Sequence, residues 1–195
     1  SLSPTTSTNL ELGNKMVNQA IEAAGKGKQG QDNFNQIIRL ADETDTGTGA
    51  KMLREIGGGF AALPWTSDQA TNFDKLGHML SLNVATIAQM PGINNTNAGQ
   101  QLSSEIGGTT TWTRKAIKDT SRINRAMLET VDLYAMGIKN AVTNSKNPQN
   151  AIDFQNKWNK TLNIDTLRIL DAFKNKMRDP EGLQEVAKEM GGFKS

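Results

Sequence analysis

The chain has no cysteine, which excludes disulfide staples and thiolate chemistry. It has one histidine, so any imidazole-based site has a single candidate. No apolar run approaches the roughly 18 residues that a membrane-spanning helix needs. Alternating β-branched runs bounded by turns, the mark of strands, are missing. There is no internal repeat with a period of about 20–50 residues. Apolar residues make up only 36% and mean hydropathy is −0.53. Although a compact chain of 195 residues can bury about 70% of its unfolded surface, the core must therefore be narrow. That suits a helical bundle better than a layered α/β structure. The opening Ser1-Leu2-Ser3-Pro4-Thr5-Thr6-Ser7-Thr8 reads as an extended tail over residues 1–8. It shows neither the charged segment nor the apolar segment of a signal peptide. The first residue is not Met, which is compatible with a piece of a longer protein.

What the chain does have is amides and an uneven charge. There are 19 Asn and 11 Gln, a load that suits a hydrated surface and argues against a thermophilic origin. The net charge is only +2, but residues 112–178 carry 13 Lys or Arg against 6 Asp or Glu. The rest of the chain is correspondingly acidic. Two such halves can attract each other within the fold or between subunits; the alternative is an anionic partner such as nucleic acid.

Hydrophobic periodicity lays out an all-α protein, an elongated bundle of about six or seven helices forming a single domain over residues 9–192, with the 91–111 loop as a point of subdivision. A first helix spans Asn9 to Ala24, with Asn9 as its cap. Gly25-Lys26-Gly27-Lys28-Gln29-Gly30 then reads as a flexible turn. A second helix follows from Asp32 to about Thr44, burying Phe34, Ile37, Ile38 and Ala41. A third begins near Ala50 and meets Gly57-Gly58-Gly59, which costs it up to about 1 kcal/mol per residue. A fourth, capped by Thr66 or Ser67, reaches about Met90 with Phe73, Leu76, Leu80, Val84 and Ile87 inward. A short helix at Ala98 to Ile106 interrupts a polar loop. Then come two long helices, over about 112–144 and 148–177. The first carries the stripe Trp112, Ala116, Ile123, Met127, Val131, Tyr134, Ile138, Val142, with steps of three, four or seven, and Thr110 or Thr111 caps it. The second starts at Pro148, bends near Asn163-Ile164-Asp165, and buries Phe154, Trp158, Leu162, Ile169, Phe173 and Met177. A last short helix follows Asp179-Pro180.

No residue pattern specifies a reaction. His78 with Asp74 supplies two ligands one turn apart and no third, so a surface histidine is the plainer reading, ahead of a general base. Gly47-Thr48-Gly49-Ala50-Lys51 looks superficially like a phosphate loop but lacks its spacing, its strand and its hydroxyl; an anion-binding turn is the remaining alternative. Glu105 has no second carboxylate nearby for glycan cleavage. Trp65, Trp112 and Trp158 fit core or end-sealing roles, with ligand stacking as the alternative. Nothing implies a cofactor, a metal or a small-molecule substrate.

The candidate contact residues are Arg114, Lys115, Lys118, Arg122 and Arg125. Arg114, Lys118, Arg122 and Arg125 follow at steps of four, four and three, so they share one helix face. Cations at a helix N-terminus oppose the macrodipole, and something must offset them. That is either an acidic face of the same chain, for example Asp42, Glu43 and Asp45, or a phosphate backbone or acidic neighbouring subunit.

The segment Gln36 to Gly49, ending Ala41-Asp42-Glu43-Thr44-Asp45-Thr46-Gly47-Thr48-Gly49, resembles a region of tailed-bacteriophage and prophage proteins. In those, a helix ends in an acidic, threonine-bearing turn and another helix follows. The downstream order is also similar: a helix like Phe73 to Ala88, an Asn/Gly/Thr-rich loop over Asn94 to Thr111, then a long helix beginning like Trp112 to Asn124. The resemblance covers about Gln31 to Thr143. It implies a virion-associated internal or ejected helical protein, located in the virion or, before assembly, in the host bacterial cytoplasm. It implies self-association or other virion proteins as partners, with DNA as a further one. The expectation is thus a non-enzymatic structural or DNA-delivery protein. Two alternatives are the helical domain of a peptidoglycan-cleaving protein, with Glu105 and His78 as the residues to examine, and a secreted bacterial effector or adaptor.

Overall fold

A computed structural model describes residues 4–43, 73–107, 111–145 and 149–172. The described residues form six helices and no strand: α1 (Pro4–Glu43), α2 (Phe73–Ile87), α3 (Asn97–Gly107), α4 (Arg114–Ser145), α5 (Gln149–Thr161) and α6 (Ile164–Ala172). None is long and apolar enough to cross a membrane. The fold is an all-α bundle built around α4. Helices α1, α2, α5 and α6 all pack on α4, while α3 bridges α2 and α6.

The N-terminal third corrects the expected layout. Residues expected as a tail, a helix, a glycine turn and a second helix form one helix of 40 residues, which begins at Pro4. Pro4 suits this place because the first turn has no use for its missing amide. The glycines do not break the helix because they serve packing. Gly13, Ala20, Ala24, Gly27 and Gly30 are all buried, and the last two lie against Leu128 of α4. A Cβ at Gly27 would stand 3.3 Å from Leu128 Cδ2, and one at Gly30 only 2.7 Å from Leu128 Cδ1. Small residues let two backbones approach closely, and the packing gained offsets their poor helix propensity. The two helices run antiparallel: Gly30 meets Leu128, whereas Asn35, further along α1, meets Arg125. Beyond this contact Phe34, Ile37 and Ala41 enter the core as their spacing requires.

The central position of α4 explains its polar interior. Its expected stripe is in place, with Met127, Val131, Tyr134 and Ile138 buried. The burial extends around the whole helix from Ala126 to Val131, because neighbours cover it on several sides. Two of the polar side chains caught in this interior donate to backbone carbonyls. Thr130 Oγ1 donates to Ala126 O at 2.7 Å. Asn124 Nδ2 donates to Thr120 O at 2.9 Å and reaches Leu80 O on α2 at 3.4 Å. The N-cap is Thr113, not Thr110 or Thr111: its Oγ1 accepts from Ala116 N at 3.1 Å. Trp112, just ahead of it, lays its indole against Gly77 of α2, where any side chain would collide with the ring.

The helix expected over 148–177, with a bend near Asn163-Ile164-Asp165, is fully broken at that point. Helix α5 ends at Thr161 and α6 starts at Ile164. Asn163 and Thr166 form a reciprocal cap: Asn163 Oδ1 accepts from Thr166 N at 3.0 Å, and Thr166 Oγ1 accepts from Asn163 N at 2.7 Å. Among the described residues the two longest helices are therefore α1 and α4. At the far end of α4, Tyr134, Phe154 and Trp158 stack with centroids 5.4–5.9 Å apart. Trp158 Nε1 donates to Gly92 O at 2.7 Å. Gly92 has φ +94°, a conformation glycine adopts without strain, and it sits against the Tyr134 ring. This contact anchors the turn after α2 to α5. Ile93, Ala98, Leu102 and Ile106 then join the same core as α1, α2 and α4.

Candidate functional site

The basic residues at the start of α4 divide into two environments. Lys115 and Arg122 are on the surface, with side chains 85% and 47% exposed, and both turn toward Asp119. Lys115 Nζ lies 2.6 Å from Asp119 Oδ2, and Arg122 Nη1 lies 3.6 Å from Asp119 Oδ1. Arg114 and Lys118 are half-buried between them. Exposed pairs of this kind contribute at most about 1 kcal/mol, so the residues remain available to an outside partner. Asp119 is the acid that Lys115 and Arg122 share. Asp119 also offsets part of the unfavourable interaction of these cations with the helix dipole.

Arg125 belongs to the interior. Only 11% of its side chain is exposed. Its Nε donates to Asp171 Oδ1 at 3.2 Å and its Nη2 to Asp171 Oδ2 at 3.3 Å, a two-pronged pairing with α6. Its Nη1 donates to Asn35 Oδ1 of α1 at 2.9 Å. Glu129, with a side chain 6% exposed, has Oε1 3.6 Å from Arg125 Nε. One guanidinium thus ties α1, α4 and α6 together, which a planar five-donor group does well. The acid that answers Arg125 is on α6 and α4. The side chains of Asp42 and Glu43, and all of Asp45, lie outside the described residues.

Beside this junction is a cleft of about 430 Å³ between α3, α4 and α6. Leu102, Ile123, Ala126, Ile164 and Leu167 form its walls, and Asp119, Arg122 and Asp171 line it too. Arg122 of the surface set and Asp171 of the internal knot thus border one depression.

The other residues singled out from the sequence do not assemble. His78 and Asp74 are exposed on α2, and Glu105 is exposed on α3. Among the described residues no three His, Asp or Glu side chains gather closely enough to hold a metal ion. Trp158 is a core residue and Trp112 covers Gly77; Trp65 and Gly47 to Lys51 lie outside the described residues. Sequence reasoning missed Asp119, though its position four after Lys115 and three before Arg122 is a pairing signal. Asp171 and Asn35 carry no such local signal. Comparison of the chain with family models, with curated proteins and with solved structures finds no match.

Proposed function

We propose that the protein is a non-enzymatic helical structural protein of the tailed-phage virion or DNA-delivery type. It works by helix packing and self-association, and it meets DNA or another acidic partner through the face of Arg114, Lys115, Lys118 and Arg122. The observation that carries this reading is that face: four cations at one end of the central helix, with Lys115 and Arg122 open to solvent. The bundle supports it too, since it presents helix surfaces around one scaffold. The resemblance of Gln31 to Thr143 to virion-associated proteins supplies the setting. Arg125 is left out of the contact face because its donors are spent on Asp171 and Asn35.

The test joins light scattering after size exclusion with duplex DNA binding measured over a range of salt. Each phosphate neutralised contributes about −0.9 to the slope of log affinity against log salt, so three to four contacts give a slope of about −3. The triple variant K115E/K118E/R122E should flatten that slope and abolish binding. K157E/K160E, which alters two exposed lysines on α5, should leave it intact. A protein that is monomeric at every concentration and shows no salt-dependent DNA binding refutes both halves of the reading.

A further inference from the structure

The break between α5 and α6 needs no proline or glycine. Residues 149–172 contain neither proline nor glycine, and the apolar spacing of Phe154, Trp158 and Leu162 continues helically toward Ile169. As one straight helix it would be about 36 Å long at 1.5 Å per residue. It is divided at Leu162-Asn163 by a local cap and by docking. The Asn163–Thr166 cap stabilises the new start. Leu162 and Leu167 are each only 1% exposed. Asp171 is held by two hydrogen bonds from Arg125. Helix α6 is thus held in the cleft by its own cap and by docking.

We propose that α6 is exchanged between two copies of this chain. The proposal rests on the self-association part of the reading above and names its mechanism. When α5 and α6 join into one straight helix, Ile164–Ala172 leaves its own cleft. That uncovers Leu102, Ile123 and Ala126 together with the Arg125 guanidinium. The matching occupant is the same segment of a second copy, whose Leu167 fills the apolar wall and whose Asp171 pairs with Arg125. The packing and ion pairing that α6 gives up within its own chain are regained on the second copy, so exchange costs little beyond association and the hinge. The charge pairing fixes the register, because it aligns α6 with one position of α4.

The full chain tests this directly. Because it has no cysteine, R122C/I164C places two unique thiols on opposite walls of the cleft. A short bis-maleimide then bridges them within one chain if α6 stays home, and between chains if it is exchanged. A denaturing gel separates the two products. N163A/T166A removes the cap that holds the break and should tighten dimerisation by roughly ten- to thirtyfold. I164P keeps the break, since proline suits a first helical position and cannot sit inside a continuous helix. Made alone and followed by light scattering, it should lower the dimer fraction. Circular dichroism checks that each variant folds. Dimers that bridge only within chains overturn the exchange and leave self-association standing. A chain that is monomeric both as wild type and as N163A/T166A overturns the exchange and the self-association reading, while DNA binding remains separately measurable.

Discussion

Replacing Gly25, Gly27 and Gly30 by alanine, one at a time, measures what holds α1 to α4. All three lie in the interior of one helix, so each substitution gains about 1 kcal/mol of helix propensity. They differ in what the new methyl meets. At Gly25 nothing lies within 4 Å, so the whole gain should appear as stability. For a chain of this size that raises Tm by about 2–4 °C. At Gly27 the methyl would be 3.3 Å from Leu128 Cδ2, a contact a side chain can relieve by a small shift, and gain and loss should nearly cancel. At Gly30 the nearest atom, Leu128 Cδ1, would be 2.7 Å away. Leu128 is 1% exposed, so the larger shift needed here displaces packed neighbours. Overpacking costs about 1–3 kcal/mol, leaving a net loss of about 0–2 kcal/mol. The same Gly30→Ala change made in an L128A background should become stabilising by about 1 kcal/mol, because the clash is gone; the L128A change itself costs about 2–5 kcal/mol. Urea denaturation followed by far-ultraviolet circular dichroism gives all these values. If Gly25→Ala destabilises as much as Gly30→Ala, residues 25–30 form a turn and the continuous helix is wrong.

Other consequences concern buried polar groups. Arg125→Ala should cost about 3–5 kcal/mol, since it strands Glu129 and Asp171 in poorly solvated surroundings; a loss below about 1 kcal/mol in denaturant titration would reduce the knot to an ordinary surface pair. Asp171→Asn should cost less, because that side chain is 23% exposed against 11% for Arg125. Burial raises the Tyr134 pKa, and the hydrogen bond from Gln155 lowers it only in part. The folded state therefore holds its proton longer than the unfolded state does. Its contribution is fully present below about pH 10, the usual phenol value, and is lost as pH rises beyond that. Tyr134→Phe should flatten this alkaline decline in a pH series of melts, and an unchanged decline would assign it to other groups.

Much of the fold is legible in the spacing of apolar residues. Leu76, Leu80, Val84 and Ile87 place α2, and Met127, Val131, Tyr134 and Ile138 place α4, because each series follows from local helix geometry. The errors arise where a distant partner overrides a local rule. Gly25 to Gly30 looks like a turn until Leu128 is brought alongside. The bend expected near Asn163-Ile164-Asp165 is a full break, which the local cap and the Arg125–Asp171 contact, 46 residues apart in sequence, together explain. The candidate face was legible in part. Arg114, Lys118 and Arg122 share a face by steps of four, whereas the inward turn of Arg125 depends on α1 and α6 and leaves no local trace.

The antiparallel seating of α1 on α4 also sets a timetable for biosynthesis. Asn35 and Arg125, which hydrogen-bond across that interface, are 90 residues apart. At about 5–20 residues per second, the ribosome needs roughly 5–18 s to deliver the partner. Until then α1 is a 40-residue segment with four glycines and no scaffold, too weakly helical to hold its shape alone. Phe34, Ile37 and Ala41 stay open to chaperones and to neighbouring nascent chains during that interval. Closing so long a loop also slows refolding. The N-terminal helix, made first, is ordered only once the centre of the molecule exists, and newly made copies are most prone to mispairing in that interval.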